Sequence, residues 1–457
     1  MKRLLIPVLA ACLLFACQPT PDHEAIVPPN GYEAAILDHS AQAEQTEPIR
    51  PSVHWTDVIH LKYWDVNIDA DVFPNVSGTV PVYESRWVTM DEIPEQAEKV
   101  KRGLLKNATS VCEDGVMTKS DWYQQVKLYA DSALWDDETG GRTRYPSDAE
   151  VKSYMEDLKP FIDEAPDELT FRPFSPESDP IPDDAGYRLS DGTKAWMHCQ
   201  SKSIFILYGE ELFYNAFEQP ESFVLAGDAV SGEPRGTQIE GVTVDQTTAE
   251  EQAKALLSEL SLEGFRIAES EKARYINEYT LKNVTVGYRV VFCRAEGAYE
   301  AAYNTVRQRV HTEGPSFRPD WPQEQIFVFV DGNGVRSFFW TNPTAKPQPV
   351  NEAVGILSFE DVQDVIFKHM KNMYTYEEDN ELFREWYEGR AKYMIDHVGL
   401  YMEMLPKKNN LESFYYGPVW IVTVRNYPAD AGDPDVPDMT DAHYLHINAI
   451  DGSLVGY

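Results

Sequence analysis

Five aspartates, Asp430, Asp433, Asp435, Asp438 and Asp441, crowd one short segment near the C-terminus. Calcium takes roughly six to eight oxygen ligands at about 2.4 Å. This loop is therefore the chain's best cation candidate, with Asp433, Asp435 and Asp438 at its centre. Its spacing matches no EF-hand, and Pro434 and Pro437 suit an extended, solvated loop instead. His198 and Cys199 have the residue types of a thiol nucleophile and its base. Neighbours on a strand point to opposite faces, however, and cannot share a proton directly. His443 and His446, three apart on an expected strand, are separated in the same way. Asp331-Gly332-Asn333-Gly334 lacks the third spaced glycine of a nucleotide loop and reads as a tight hairpin. Gly-x-Ser-x-Gly, Ser-x-x-Lys and His-Glu-x-x-His do not occur, so local signatures of serine acyl transfer and of zinc hydrolysis are missing. No catalytic residue and no cofactor is assigned.

The elements that must position these residues follow from periodicity. Val66 to Val72 and Val80 to Glu84 alternate as half-buried strands do. Apolar residues at helical spacing predict helices over 91–107 (Ile93, Ala97, Val100, Leu104) and 120–134, the latter with Ser120 as its cap. A third helix opens on the capping box Ser147 to Glu150 and stops near Pro160 or Pro166. Strands are expected over 195–199 and 203–208. Thr247 to Glu250 opens another helix, followed by alternation at Val284, Val286, Tyr288, Val290 and Phe292 and by a hairpin, 326–330 with 335–340. Past the proline-rich spacer 342–349 the order recurs. Ser358 to Asp361 caps a helix with Phe359, Val362, Ile366, Met370 and Met373 on one face. Met394, Val398, Leu400, Met402 and Met404 then alternate, strands follow at 418–424 and 443–450, and Asp451-Gly452 makes a turn. The expected class is α+β, built from repeated modules of a helix plus antiparallel sheet. The expected divisions are 53–235, 236–345 and 350–457.

Composition limits what such modules do. Forty basic against 75 acidic residues give a net charge of −35. That surface repels phosphate backbones, which argues against nucleic-acid partners, and it disfavours a peripheral grip on anionic lipid. A 43% hydrophobic share with 25 Tyr, 20 Phe and 10 Trp is too apolar for a disordered chain. These aromatics fill cores, with a sugar-stacking platform as the sharper alternative. Cys112, Cys199 and Cys293 leave an odd number of internal thiols and no Cys-x-x-Cys pair, so buried thiols are expected rather than a disulfide scaffold.

The N-terminus says where the protein works. Lys2 and Arg3 precede an apolar run from Leu4 to Ala16, interrupted by Pro7 and closed by Leu14-Phe15-Ala16-Cys17. The run is too short for a bilayer span of about 20 residues, yet long enough for the core of a signal peptide. A small residue before the cysteine resembles the bacterial lipobox, which implies cleavage after residue 16 and lipidation of Cys17. Leu9-Ala10-Ala11-Cys12 fits the local pattern but would leave only Leu4 to Ala11 as apolar core. From Gln18 to about Ser52 the Pro, Glu, Ala and Gln-rich chain reads as a tether. Loss of Lys2 and Arg3 with the signal takes the net charge to −37.

The C-terminal unit resembles a block found in uncharacterised lipoproteins of Gram-positive bacteria. The matching residues are Leu357 to Val362, Val398 to Met402, Gly417 to Trp420 and Ile447 to Ser453. More distantly it is similar to the YycH/YycI-like and PepSY-like helix-plus-sheet modules of envelope regulators. That resemblance implies a membrane-anchored, extracytoplasmic protein that binds and modulates an envelope partner such as a sensor or a protease, without catalysis. It covers about a quarter of the chain and assigns no catalytic residue. A lipoprotein that captures a solute or glycan, and an envelope hydrolase, are the competing expectations.

Overall fold

The computed structural model describes residues 31–38, 53–61, 65–73, 78–113, 117–131, 134–136, 141–204, 207–215, 223–226, 239–277, 283–295, 300–302, 323–379, 391–407, 410–428 and 442–455. Helix α1 (Gly31–Ile36) comes first, then strands β1 (Val53–His60), β2 (Asp65–Phe73) and β3 (Thr79–Arg86). The helix expected from residue 91 is a 3-10 turn, Met90–Glu92, followed by α2 (Pro94–Leu104). Pro94 accounts for the break, since it drives the residue before it out of helical conformation but suits a helix's first position. Strand β4 (Ala108–Cys112), helix α3 (Lys119–Ala130), the hairpin β5 (Leu134–Asp136) with β6 (Gly141–Arg144), and helix α4 (Asp148–Glu164) follow. Thr118, not Ser120, caps α3: its hydroxyl accepts from the Asp121 amide at 3.2 Å while the Asp121 carboxylate accepts from the Thr118 amide at 2.9 Å. Ser147 caps α4 as expected, and that helix runs through Pro160 to end before Pro166.

Next come β7 (Arg172–Pro173), β8 (Asp184–Leu189), β9 (Lys194–Ile204), β10 (Leu207–Asn215) and β11 (Phe223–Ala226). Helix α5 (Gln246–Glu259) is capped by Asp245, whose carboxylate accepts from the Thr248 amide at 2.9 Å. It leads into β12 (Phe265–Asn277), β13 (Asn283–Arg294), β14 (Glu300–Ala301), β15 (Gln325–Asp331), β16 (Gly334–Thr341) and β17 (Gln348–Gly355). Between β15 and β16 the expected tight turn forms, with Gly334 at φ +105° and the Asp331 side chain accepting from the Asn333 amide. Helix α6 (Phe359–Asp379) and strands β18 (Ala391–Lys407), β19 (Asn410–Pro428) and β20 (Ala442–Asn448) complete the order.

Two large sheets result, and with the helices on them they make the protein α+β. The ten-stranded sheet is antiparallel throughout, in the order β11-β12-β13-β15-β16-β10-β9-β8-β4-β7. Helices α2 and α5 cover one of its faces: Ala97, Val100 and Leu104 with Ala249, Ala253 and Leu257 share a core with Tyr187, Met197, Val328 and Trp340. The eight-stranded sheet runs β1-β2-β18-β19-β3-β17, with β20 on β19 and β14 on β18. Its β2–β18 and β14–β18 pairs are parallel. Helix α6 packs on it through Val362, Ile366 and Met370, and Phe359 lies edge-on to Trp55 and close to Trp420.

Strand pairing crosses the contiguous divisions expected at 235/236 and 345/350. Strands from 53–86 and from 348–448, with β14 at 300–301, make the eight-stranded sheet, whereas all ten strands of the other lie within 108–341. Two of the crossings, β3 to β4 and β16 to β17, run side by side. Trp87 bridges Thr344, the Val88 amide donates to the Pro343 carbonyl at 3.0 Å, and the Ala345 amide donates to the Arg86 carbonyl at 2.9 Å. Beside them, the buried Glu324 carboxylate accepts from Arg294 Nε (2.6 Å), Thr344 Oγ1 (2.6 Å) and Trp340 Nε1 (3.0 Å). The expected spacer 342–349 is thus a paired and clamped crossing.

Candidate functional site

Cys17 and the aspartates Asp430, Asp433, Asp435, Asp438 and Asp441 lie outside the described residues. Among the described residues no group of three or more His, Cys, Asp or Glu is arranged to hold a metal ion. Among them, too, no helix is long and apolar enough to cross a membrane. His198 and Cys199 stand on opposite faces of β9. Cys199 packs toward the core shared with α2 and α5, while His198 lies beside Trp196 and 3.5 Å from Asp184. Cys112 and Cys293 are buried thiols and Cys199 is half-buried.

Strands β18, β19 and β20 bring together a polar row that motif reasoning did not collect. A bulge between Ile395 and His397 reverses the alternation of β18. Tyr393 and Ile395 take the core face before it, and Val398, Leu400, Met402 and Met404 take that face after it, so Met394 is not in their row. The opposite face carries His397, Gly399, Tyr401 and Glu403. By register it is continued by Thr423 on β19 and by His446 and Asn448 on β20. His446 Nδ1 lies 2.8 Å from Glu403 Oε2, and neither side chain has any exposure. His397 Nε2 is 2.8 Å from Tyr401 Oη, and the Tyr401 ring covers Gly399, where a Cβ would overlap it. Arg425 pairs with Asp396. Burial, and secondarily the Arg425 charge, pull the His397 pKa down to about 4, so that imidazole is neutral at pH 7. A carboxylate behind an imidazole is the arrangement that orients a general base. Here it is sealed inside the sheet, which suits a structural use. The available signal was a charged residue interrupting apolar strands, as Glu403 does between Met402 and Met404.

Among the described residues, an arm carries four exposed large hydrophobic side chains. Strands β4 and β7 pair directly, Ser110 opposite Pro173, so the segment carrying α3, β5, β6 and α4 leaves the sheet and returns to the same place. The Lys119 amide donates to the Pro166 carbonyl at 3.0 Å and closes the base. The two helices meet through aromatic pairs, Trp122 stacked on Phe161 (5.5 Å) and Tyr129 against Tyr154 (4.3 Å). In that seam Phe161 is 55% exposed, while Trp122, Tyr129 and Tyr154 are half-buried. Outside it Tyr123 is 50% exposed, Tyr145 68% and Met155 42%; with Phe161 these are half of the eight large hydrophobic residues exposed among the described residues. They stand on α3 (Tyr123), on α4 (Met155 and Phe161) and just before α4 (Tyr145).

The architecture defines an α+β protein of two large sheets with helices packed on them. No family model and no curated protein matches the chain. Among solved structures it is similar to an uncharacterized protein from Eubacterium rectale, at 12% identity and a TM-score of 0.43, over 93% of this chain and 98% of that one.

Proposed function

We propose that this chain is a lipid-anchored lipoprotein of the extracytoplasmic membrane face that binds an envelope protein, such as a sensor or a protease, and modulates it without catalysis. The observation that carries this reading is the α3–α4 arm, which leaves Tyr123, Tyr145, Met155 and Phe161 exposed. A chain that leaves Tyr123 and Phe161 in water gains by covering them on a partner, at about 25 cal/mol per Å² of apolar surface removed. Helix α5 followed by β12 to β16, and α6 followed by β18 to β20, support the view that a helix-plus-sheet module is used twice.

Photo-crosslinking in cells tests the proposal. A crosslinkable residue at Tyr123 or at Phe161 should give one membrane-protein adduct, absent when the probe stands at Leu454, which is equally exposed but remote in sequence. With the probe at Tyr123, Tyr145→Ser combined with Met155→Ser should remove the adduct without shifting thermal unfolding, since both side chains are exposed. Turnover of a wall or peptide substrate that one polar substitution abolishes would overturn the non-catalytic reading. The same adducts from all three positions would overturn the assignment of the arm.

A further inference from the structure

Helices α2 and α5 lie side by side on the ten-stranded sheet, and between them is an open cleft of about 420 Å³. Its walls are fixed by close approaches. A Cβ at Gly103 would overlap the Leu260 side chain, so the helices touch there, and a Cβ at Gly332 would overlap Thr243, which holds the β15–β16 turn against the body. The floor is apolar, made by Leu104, Leu189, Leu256 and Val335. Above it the rim is polar and carries both signs of charge.

Lys106 Nζ and Glu259 Oε2 meet at 2.7 Å across the C-terminal ends of the two helices, each about half exposed. Arg336, fixed by its ion pair with Asp331 at 3.6 Å, and Asp191, whose carboxylate accepts from the Thr193 amide at 2.8 Å, stand on the sheet side. The carboxamides of Asn107, Gln252 and Asn333 lie in the same lining. A carboxamide can donate and accept together, as a peptide group does. The lining holds no aromatic side chain on which a sugar ring would stack. Each cation has a carboxylate neighbour, so a ligand that is purely anionic or purely cationic meets repulsion as well as attraction.

Length narrows the choice. Gln252 and Glu259 are seven positions apart on α5, which at 1.5 Å per residue is about 10 Å. An extended peptide covers roughly 3.3–3.6 Å per residue, so about three residues span that wall. From this lining we infer that the α2–α5 cleft binds a short zwitterionic peptide. Its free ends meet the charged pairs, its amides meet the carboxamides, and small apolar side chains rest on the leucine floor. The exposed Lys106–Glu259 pair is cheap to open, as surface ion pairs are. This site is separate from the arm and does not depend on the partner reading.

Trialanine, titrated calorimetrically into the full-length protein in detergent micelles, tests the inference. Saturable one-to-one binding is expected, weakened tenfold or more when the peptide is acetylated and amidated at its ends. Ala255 lines the cleft from an exposed position on α5, so Ala255→Phe should fill the cleft and abolish binding while leaving thermal unfolding in place. It should also leave the Tyr123 adduct intact, which separates this site from the arm. Absence of saturable heat with trialanine, equal binding of the capped peptide, or full binding in Ala255→Phe would each overturn the assignment. Asp191→Asn, a change at an exposed turn, should weaken trialanine several-fold more than the N-acetylated peptide, and equal effects on both would count against the charged ends.

Discussion

Glu403 and His446 hold each other in a place where neither could stand alone. Both side chains are fully buried, and the 2.8 Å hydrogen bond between them satisfies polar groups that water does not reach. Glu403→Ala takes that partner from the imidazole and should cost about 1–3 kcal/mol, read by urea denaturation. Glu403→Leu together with His446→Phe should recover most of that loss, because a well-packed apolar pair leaves no buried polar group to satisfy. Additive losses in the double variant would show the pair to be uncoupled. His397 makes a pH-dependent contribution of definite sign. Its folded pKa, about 4, lies below the ordinary histidine value near 6.5, so between those values the unfolded chain binds the proton first. The stabilisation is complete above about pH 6.5 and is lost as pH falls toward 4. It amounts to on the order of 3 kcal/mol. His397→Gln should flatten that part of the stability–pH curve relative to the parent, and a curve of unchanged slope would refute the assignment.

At the scale of elements, what is local was legible and what is distant was not. The capping boxes at Ser147 and Ser358 start helices where expected, with the Asp361 amide donating to Ser358 Oγ at 3.2 Å. The caps at Thr118 and Asp245 lie two residues upstream of the readings at Ser120 and Thr247, because several hydroxyl and carboxylate residues compete there and only the backbone decides between them. Alternation found β13 and β18, but the bulge at Asp396 reversed the parity of Met394, and nothing local announces a bulge. Glu403 and His446 belong to strands separated by β19, so their meeting depends on a register that periodicity does not carry. Gly287 is another residue whose reason is tertiary. A Cβ there would overlap the Val330 carbonyl on the neighbouring strand, next to the register shift between Phe329 and Val330. Gly287→Ala should cost about 1–3 kcal/mol or more through overpacking, with β13 and β15 amides losing hydrogen-exchange protection together. Protection lost elsewhere instead would place the strain wrongly.

For the whole molecule, long-range pairing decides the architecture. The crossings at 86–88 and 343–345 let the strands of 53–86 reach those of 348–448, although a whole sheet is made in between. Glu324, Thr344 and Arg294 clamp this crossing, so that the connection there is fixed rather than a loose linker. Charge acts at this scale as well. At −35 the chain is repelled by an anionic membrane surface, so the proposed attachment to a membrane rests on the lipid proposed at Cys17 and not on surface contact. Acyl chains bind by their buried methylenes, at about 0.8 kcal/mol each, and a single chain gives only marginal anchoring. Intact-mass measurement of the protein from membranes should find a chain that begins at Cys17 and carries diacylglycerol. Cys17→Ala should move the protein out of the membrane fraction and abolish the lipid mass, and washing the parent with high salt should release none of it, since screening removes surface electrostatics and leaves apolar anchoring in place. A mature chain that starts elsewhere without lipid, or a parent protein released by salt, would overturn the anchor.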